Sequence, residues 1–238
     1  MHPLDNIRVV LCETSHPGNI GAAARAMKTM GLSQLHLVKP HRFPDPEAQW
    51  RATHGTDVLD SARVHDTLDA ALRDTAFSVA CSARMRDIAV EAVDAREAAA
   101  RAVAIAVAQP VAFVFGNETY GLTTDEVNKC QLLAAIPADP QYSSLNLAAA
   151  VQVFAYELRM ASTRIDRAPG TAELAPHQSI EGFYEELERM MEETGFFDRD
   201  HPKKLMPRIR RLFARAGLEK EEVNILRGIL TALRRPKK

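Results

Sequence analysis

The chain has 238 residues, with 30 Lys+Arg against 31 Asp+Glu and a formal net charge of −1. At 46% hydrophobic and 26% charged it has the composition of a globular protein, and no apolar run reaches the roughly 18 residues that span a bilayer. Met1 to Asn6 lacks the basic and apolar regions of a signal peptide, and a near-zero net charge counts at first sight against a nucleic-acid binder.

In chain order, residues 6–12 (NIRVVLC) form an apolar, β-branched run of strand length. A His-Pro-Gly-Asn turn leads to an Ala-rich helix over 20–30, stopped by Gly31. Residues 34–38 (QLHLV) alternate like a strand, and apolar runs recur at 76–81, 110–115 and 132–136. Helical stretches separate them at 67–73, 94–108 and 144–162. This alternation predicts an α/β fold with a mainly parallel sheet over 1–162. Residues 163–178, with two prolines, a glycine and no periodicity, suit a linker. A helical C-terminal extension follows over 179–238, with helices at 180–194, 203–216 and 219–235. Cys12, Cys81 and Cys130 have neither zinc nor disulfide spacing, which fits a reducing cytoplasm.

Charge is distributed unevenly. Residues 178–200 hold 2 basic and 8 acidic side chains, whereas 201–238 hold 12 basic and 3 acidic, balances of −6 and +9. Lys204, Arg208, Arg211 and Arg215 share one face of the middle tail helix, opposite Leu205, Ile209, Leu212 and Phe213. Such a ridge is either a solvated face balanced by the acidic helix or a phosphate-binding surface.

Three segments share one design, an apolar strand running into a turn of small and polar residues and then a helix, where loops and helix N-termini present free N–H groups. They are 11–25 (LCETSHPGNIGAAAR), with a tight turn at Gly18-Asn19-Ile20-Gly21, 113–122 (FVFGNETYGL) and 136–147 (IPADPQYSSLNL), where Ser143 or Ser144 is a candidate helix cap. Each feature alone has a plainer reading as a turn, a cap or a solvated carboxylate. No Walker loop, dinucleotide fingerprint, metal cluster or Gly-x-Ser-x-Gly elbow appears, which weighs against conventional kinase, dehydrogenase and hydrolase chemistry.

His16 to Met27, Phe115-Gly116-Asn117-Glu118 with Gly121-Leu122-Thr123, and Tyr142 to Ala148 together resemble the three ordered motifs of the SPOUT RNA 2′-O-ribose methyltransferases. Asn224 to Leu230 resembles the end of the bacterial tRNA (cytidine/uridine-2′-O)-methyltransferases that act at position 32 of the anticodon loop, so the resemblance covers essentially the whole chain. It implies a parallel α/β domain with a C-terminal deep trefoil knot, a homodimer, and S-adenosyl-L-methionine as cofactor, without a metal. Carried over by position, the cofactor-binding residues are Cys81, Ser82, Ala83, Gly116, Ile136, Ser143, Ser144 and Leu145. Arg25 is the catalytic residue, assisted by Ser144, and Asn19, Glu118 and Asn146 support the motifs. The tail supplies RNA-binding candidates in Lys203, Lys204, Arg208, Arg211 and Arg215. Related sequences often have arginine at Asn117, which puts a phosphate contact there in question. Open alternatives are another tRNA position, ribosomal RNA, or a catalytically silent RNA-binding protein.

Overall fold

The computed structural model describes residues 2–83, 90–163 and 173–234. Seven strands, β1 (Ile7–Cys12), β2 (Gln34–Val38), β3 (Arg63–His65), β4 (Phe77–Cys81), β5 (Glu91–Asp94), β6 (Val111–Phe115) and β7 (Leu132–Ala135), form one sheet. Its order is β3-β2-β1-β6-β4-β7-β5 and every pairing is parallel. β1 and β6 lie at the centre, with Ile7 beside Val111 and Leu11 beside Phe115, and all their residues are buried. Their apolar character follows, because a parallel sheet is covered on both faces, and the one charge among them, Arg8 of β1, forks onto Asp74 at 2.8 and 3.0 Å. Ile7, Val9 and Leu11 face one core, Val10 and Cys12 the other.

The covering helices are α1 (Pro17–Met30), α2 (Pro46–Ala52), α3 (Thr56–Asp60), α4 (Leu68–Leu72), α5 (Ala95–Ala106), α6 (Thr124–Asn128) and α7 (Leu147–Ser162). Residues of α1, α2, α3, α5 and α7 build the larger core, and those of α4 and α6 the smaller. Small side chains permit close approach: Ala23 and Ala24 of α1 and Ala98, Ala99 and Ala102 of α5 are fully buried. At Gly21 a Cβ would sit 2.0 Å from the Ala48 carbonyl oxygen, so the α1–α2 crossing requires glycine.

The structure departs from two expectations. Gly18 to Gly21 form no tight turn, because Pro17 occupies the first helical position and α1 already runs through them. Neither Ser143 nor Ser144 caps α7; the residues before Leu147 stay irregular, and Asn146 accepts the N–H groups of Ala148 and Ala149. The short elements α2, α3, β3 and β5 are additional to those expected. β5 is a mostly exposed edge strand with acidic residues at both ends.

The tail folds as α8 (His177–Glu193), α9 (Leu205–Ala216) and α10 (Lys220–Leu233). Ile180, Phe183, Tyr184, Leu218, Val223 and Leu230 form its small core, with the Phe213 ring edge-on to Phe183 at 4.9 Å. Within the expected linker, residues 164–172 lie outside the described residues, and the rest is tied down. Gln109 exchanges two 2.9 Å hydrogen bonds with the Leu174 backbone, and the His177 N–H donates to the Thr75 carbonyl at 2.7 Å. Asp69 of α4 receives both Lys129 and the His177 ring, the latter at 3.1 Å. These contacts seat α8 on the α/β domain.

Candidate active site

The C-terminal ends of β4, β6 and β7 open onto one cleft of about 140 Å³. All eight residues expected around a cofactor line it: Cys81, Ser82, Ala83, Gly116, Ile136, Ser143, Ser144 and Leu145. Phe154 of α7 forms part of the wall, its ring 5.7 Å from Phe113 and 5.5 Å from Phe115. Thr119, Tyr120, Leu147 and Ala150 also contribute, and none was anticipated. Apolar walls with backbone groups from several loops suit a flat heterocycle whose edge is read by main-chain N–H and C=O. A side chain at Gly116 would meet the Gly121 carbonyl carbon at 2.1 Å, so the β6 loop folds back on itself only with glycine there.

One chain of polar contacts joins all three motifs. Glu118 accepts the Ser15 N–H at 2.9 Å, the His16 N–H at 3.2 Å and the Asn19 carboxamide at 2.9 Å. Asn19 in turn accepts the Asn146 carboxamide at 2.9 Å, and Asn146 caps α7. Burial pushes the Glu118 carboxyl up, but the Asn19 and backbone donors outweigh it and hold the group below its usual range. The charged carboxylate at the start of α1 also complements the helix dipole. Glu118 is therefore not merely solvated.

Asn117 sits in the same seam with a different task from the one expected. It is buried; its Nδ2 donates to the Glu13 carbonyl at 2.6 Å and to Ser15 Oγ at 2.9 Å, while Oδ1 accepts the Thr119 N–H at 2.8 Å. The side chain ties the β6 loop to the β1–α1 connection and presents nothing to a phosphate.

Arg25 does not line the cleft. It is exposed on α1, six residues beyond Asn19, and pairs with no acid among the described residues. In the tail, Lys203, Lys204 and Arg208 line an open groove together with exposed Phe196, and Arg211 is also exposed. Arg215, although exposed, turns to a second cavity of about 370 Å³ between the tail and the start of β4, β5 and β7. That cavity is larger than the cleft but holds none of the expected cofactor residues and sits at the opposite ends of the strands. Leu212, expected to pack, is 54% exposed. Its place belongs to Arg210, which forks onto Glu181 at 2.6 and 2.7 Å and lies 4.4 Å from the Tyr184 ring centre. The signal was present, since Arg210 follows Met206 by four residues and precedes Phe213 by three. No cluster of His, Cys, Asp and Glu among the described residues could hold a metal ion.

Comparison with known proteins agrees with this arrangement. Residues 6–156 match the SpoU rRNA methylase family, and residues 178–238 match the tRNA methyltransferase TrmJ C-terminal domain. The chain is 49% identical to the tRNA (cytidine/uridine/adenosine-2′-O-)-methyltransferase TrmJ of Pseudomonas aeruginosa, over 96% of this chain and 93% of the relative. It is also 49% identical to the tRNA (cytidine/uridine-2′-O-)-methyltransferase TrmJ of Citrobacter koseri, over 99% of both. The crystal structure of TrmJ from Z. mobilis superposes with a TM-score of 0.84 at 31% identity, covering 96% of this chain and 99% of that one. A structure of an AdoMet-bound rRNA methyltransferase from Sinorhizobium meliloti shares 27% identity at a TM-score of 0.52, covering 67% of this chain and 58% of that one. With a parallel α/β domain whose second and third motifs line one cleft and whose first is hydrogen-bonded to both, and a helical tail of the matching type, the chain belongs to the SpoU methylase family, in the group that carries the TrmJ C-terminal domain.

Proposed function

We propose that this protein methylates the ribose 2′-hydroxyl of a cytidine or uridine in tRNA, at position 32 of the anticodon loop, with S-adenosyl-L-methionine as methyl donor. The observation that carries this reading is the Glu118–Asn19–Asn146 chain, which ties the first motif to the two that line the cleft. When bound, the cofactor would supply an electrophilic methyl on a sulfonium and leave as S-adenosyl-L-homocysteine. Cys81, Ser82, Ala83, Gly116, Ile136, Ser143, Ser144 and Leu145 would hold it, mainly through backbone groups and apolar contact.

The acceptor hydroxyl is a poor nucleophile until its oxygen can carry negative charge. A guanidinium is a poor base, so Arg25 serves by orienting the ribose and its phosphate and by stabilising the charge that grows on the 2′-oxygen. Its exposure, with no acid paired to it among the described residues, leaves its donors to the RNA. Ser144, exposed on the rim of the cleft, assists. Asn19, Glu118 and Asn146 keep α1 and the cleft loops in register. Methyl transfer needs no metal in this scheme. Lys203, Lys204, Arg208, Arg211 and Arg215 bind RNA phosphates, mostly without regard to sequence.

The same reading includes a homodimer and a deep trefoil knot in the C-terminal part of the α/β domain, and it places the enzyme in the cytoplasm. Nucleoside mass spectrometry of tRNA treated with protein and S-adenosyl-L-methionine tests the assignment. A 2′-O-methyl mark at position 32 is expected. Label appearing in ribosomal RNA or at another tRNA position, with none at 32, would reassign the substrate. The silent alternative loses its one support, because the burial of Asn117 in hydrogen bonds accounts for that residue.

A further inference from the structure

An exposed surface next to α1 has no part in the scheme above. Arg51 of α2 runs across the first turn of α1, its Cγ 3.6 Å from where a Gly18 side chain would begin. Gly55, in the turn after α2, is pressed against the Arg25 backbone, its Cβ position 3.1 Å from the Arg25 Cα. α2 and its turn therefore bracket α1 from the helix start, where Asn19 joins the motif chain, to Arg25. Trp50, Arg51 and His54 are all exposed along this bracket, Trp50 to 76%. Arg51, like Arg25, pairs with no carboxylate among the described residues. The acid on this stretch of α2, Glu47, is half-buried against Gly18.

We propose that Trp50 and Arg51 grip the RNA beside the nucleotide that Arg25 serves, the indole stacking on an unpaired base and the guanidinium holding a phosphate. The inference rests on the methyl-transfer reading and adds a contact to it. An indole open on a helix surface has a rigid apolar face left to bury, and a nucleobase offers a π face to it whatever its sequence. The unpaired arginines complement a phosphate backbone. An anticodon loop presents bases outside a duplex, as such a platform requires.

Trp50 is the sole tryptophan, so its fluorescence reports this surface alone. Titrating the full-length protein with tRNA should quench it saturably, at the concentrations that half-saturate methyl transfer. Trp50→Ala should raise the KM for tRNA about tenfold, the low end of a base–aromatic stack, with kcat within about twofold. Trp50→Phe should restore most of the loss, and Arg51→Gln should weaken binding and flatten its dependence on salt. Unchanged fluorescence across a titration in which tRNA is methylated would overturn the proposal, as would an unaltered KM in Trp50→Ala. Emission that shifts with protein concentration and ignores RNA would assign the surface to a second copy of the chain and also overturn it. Absence of methyl transfer would sink the activity reading, while the quench with tRNA would still decide the contact.

Discussion

In the α/β domain, β1 and β6 are buried on both faces and α1 and α5 lay fully buried alanines against the sheet. The tail instead wraps three helices around eight buried apolar residues, and its middle helix α9 buries none of its own. Arginine–glutamate pairs close its flanks: Arg210 with Glu181, Arg227 with Glu186 and Arg234 with Glu193. The difference is one of sensitivity. Burial is indifferent to ionic strength, whereas half-exposed charge pairs weaken as salt screens them. The comparison also separates two kinds of tail arginine. Arg210, Arg227 and Arg234 neutralise the acidic helix, which leaves Lys203, Lys204, Arg208 and Arg211 facing solvent.

The largest expected effect divides chemistry from stability. Arg25→Ala should lower single-turnover methyl transfer by on the order of 10²–10³, with cofactor affinity by calorimetry and thermal unfolding unchanged. Activity equal to wild type would remove Arg25 from the mechanism.

Acid should act on the α/β domain first. Burial, the Arg8 guanidinium and the neighbouring His65, whose ring stacks at 4.9 Å, push His36 down to about 3. The unfolded chain then takes up a proton near the ordinary pKa of about 6.5, before the folded one does. Stability present above that pH is therefore lost as pH falls toward 3, by on the order of 5 kcal/mol in all. In the tail, the hydrogen bond from Arg227 holds the Glu186 carboxyl low, so its contribution is whole above the usual carboxylate range and is lost only as pH falls through that range. Unfolding scans at pH 7 and 5 should show the α/β transition moving and the His36→Gln variant moving less. No shift between those pH values would contradict the account.

Arg210→Ala should cost the tail about 1–2 kcal/mol, a half-buried pair being worth less than a fully buried one. Tyr184 loses its cation as well. Proteolysis of α8–α10 should quicken while the α/β domain stays resistant; equal rates would show that the pair is dispensable. The smallest effect has the opposite sign. Gly228 is exposed within α10 and a Cβ there meets nothing within 4 Å, so Gly228→Ala should stabilise the tail by about 0.5–1 kcal/mol. A destabilised variant would mean that the α10 surface contacts something beyond this chain.

The strand runs of β1, β2, β4, β6 and β7 were legible within one residue at each end, because strands buried on both faces write their burial directly into composition. The start of α1 was misplaced, since Pro17 and Gly18 look like a turn until the first helical position is recognised as one that proline suits. Asn146 was named for the motif, yet its cap on α7 was assigned to the neighbouring serines. α2, α3 and β5 carry too few residues for any period to emerge. The partners of Arg210 lie 26 to 29 positions away, at a distance no local pattern reports.

By itself, the sequence determined the layer architecture, the order of the three motifs and the division of charge between acidic and basic tail segments. These depend on local composition and on neighbours a few residues apart. Only the tertiary structure decided which cations are spent inside the tail, that Asn117 is a buried tie, and that Glu118, Asn19 and Asn146 form one chain across segments about 100 residues apart. It also laid Arg51 of α2 across the start of α1 and pressed Gly55, in the turn that follows, against the Arg25 backbone. The physical reason is common to all of these. A polar side chain's role follows from the groups that close around it, and folding brings those groups from distant parts of the chain.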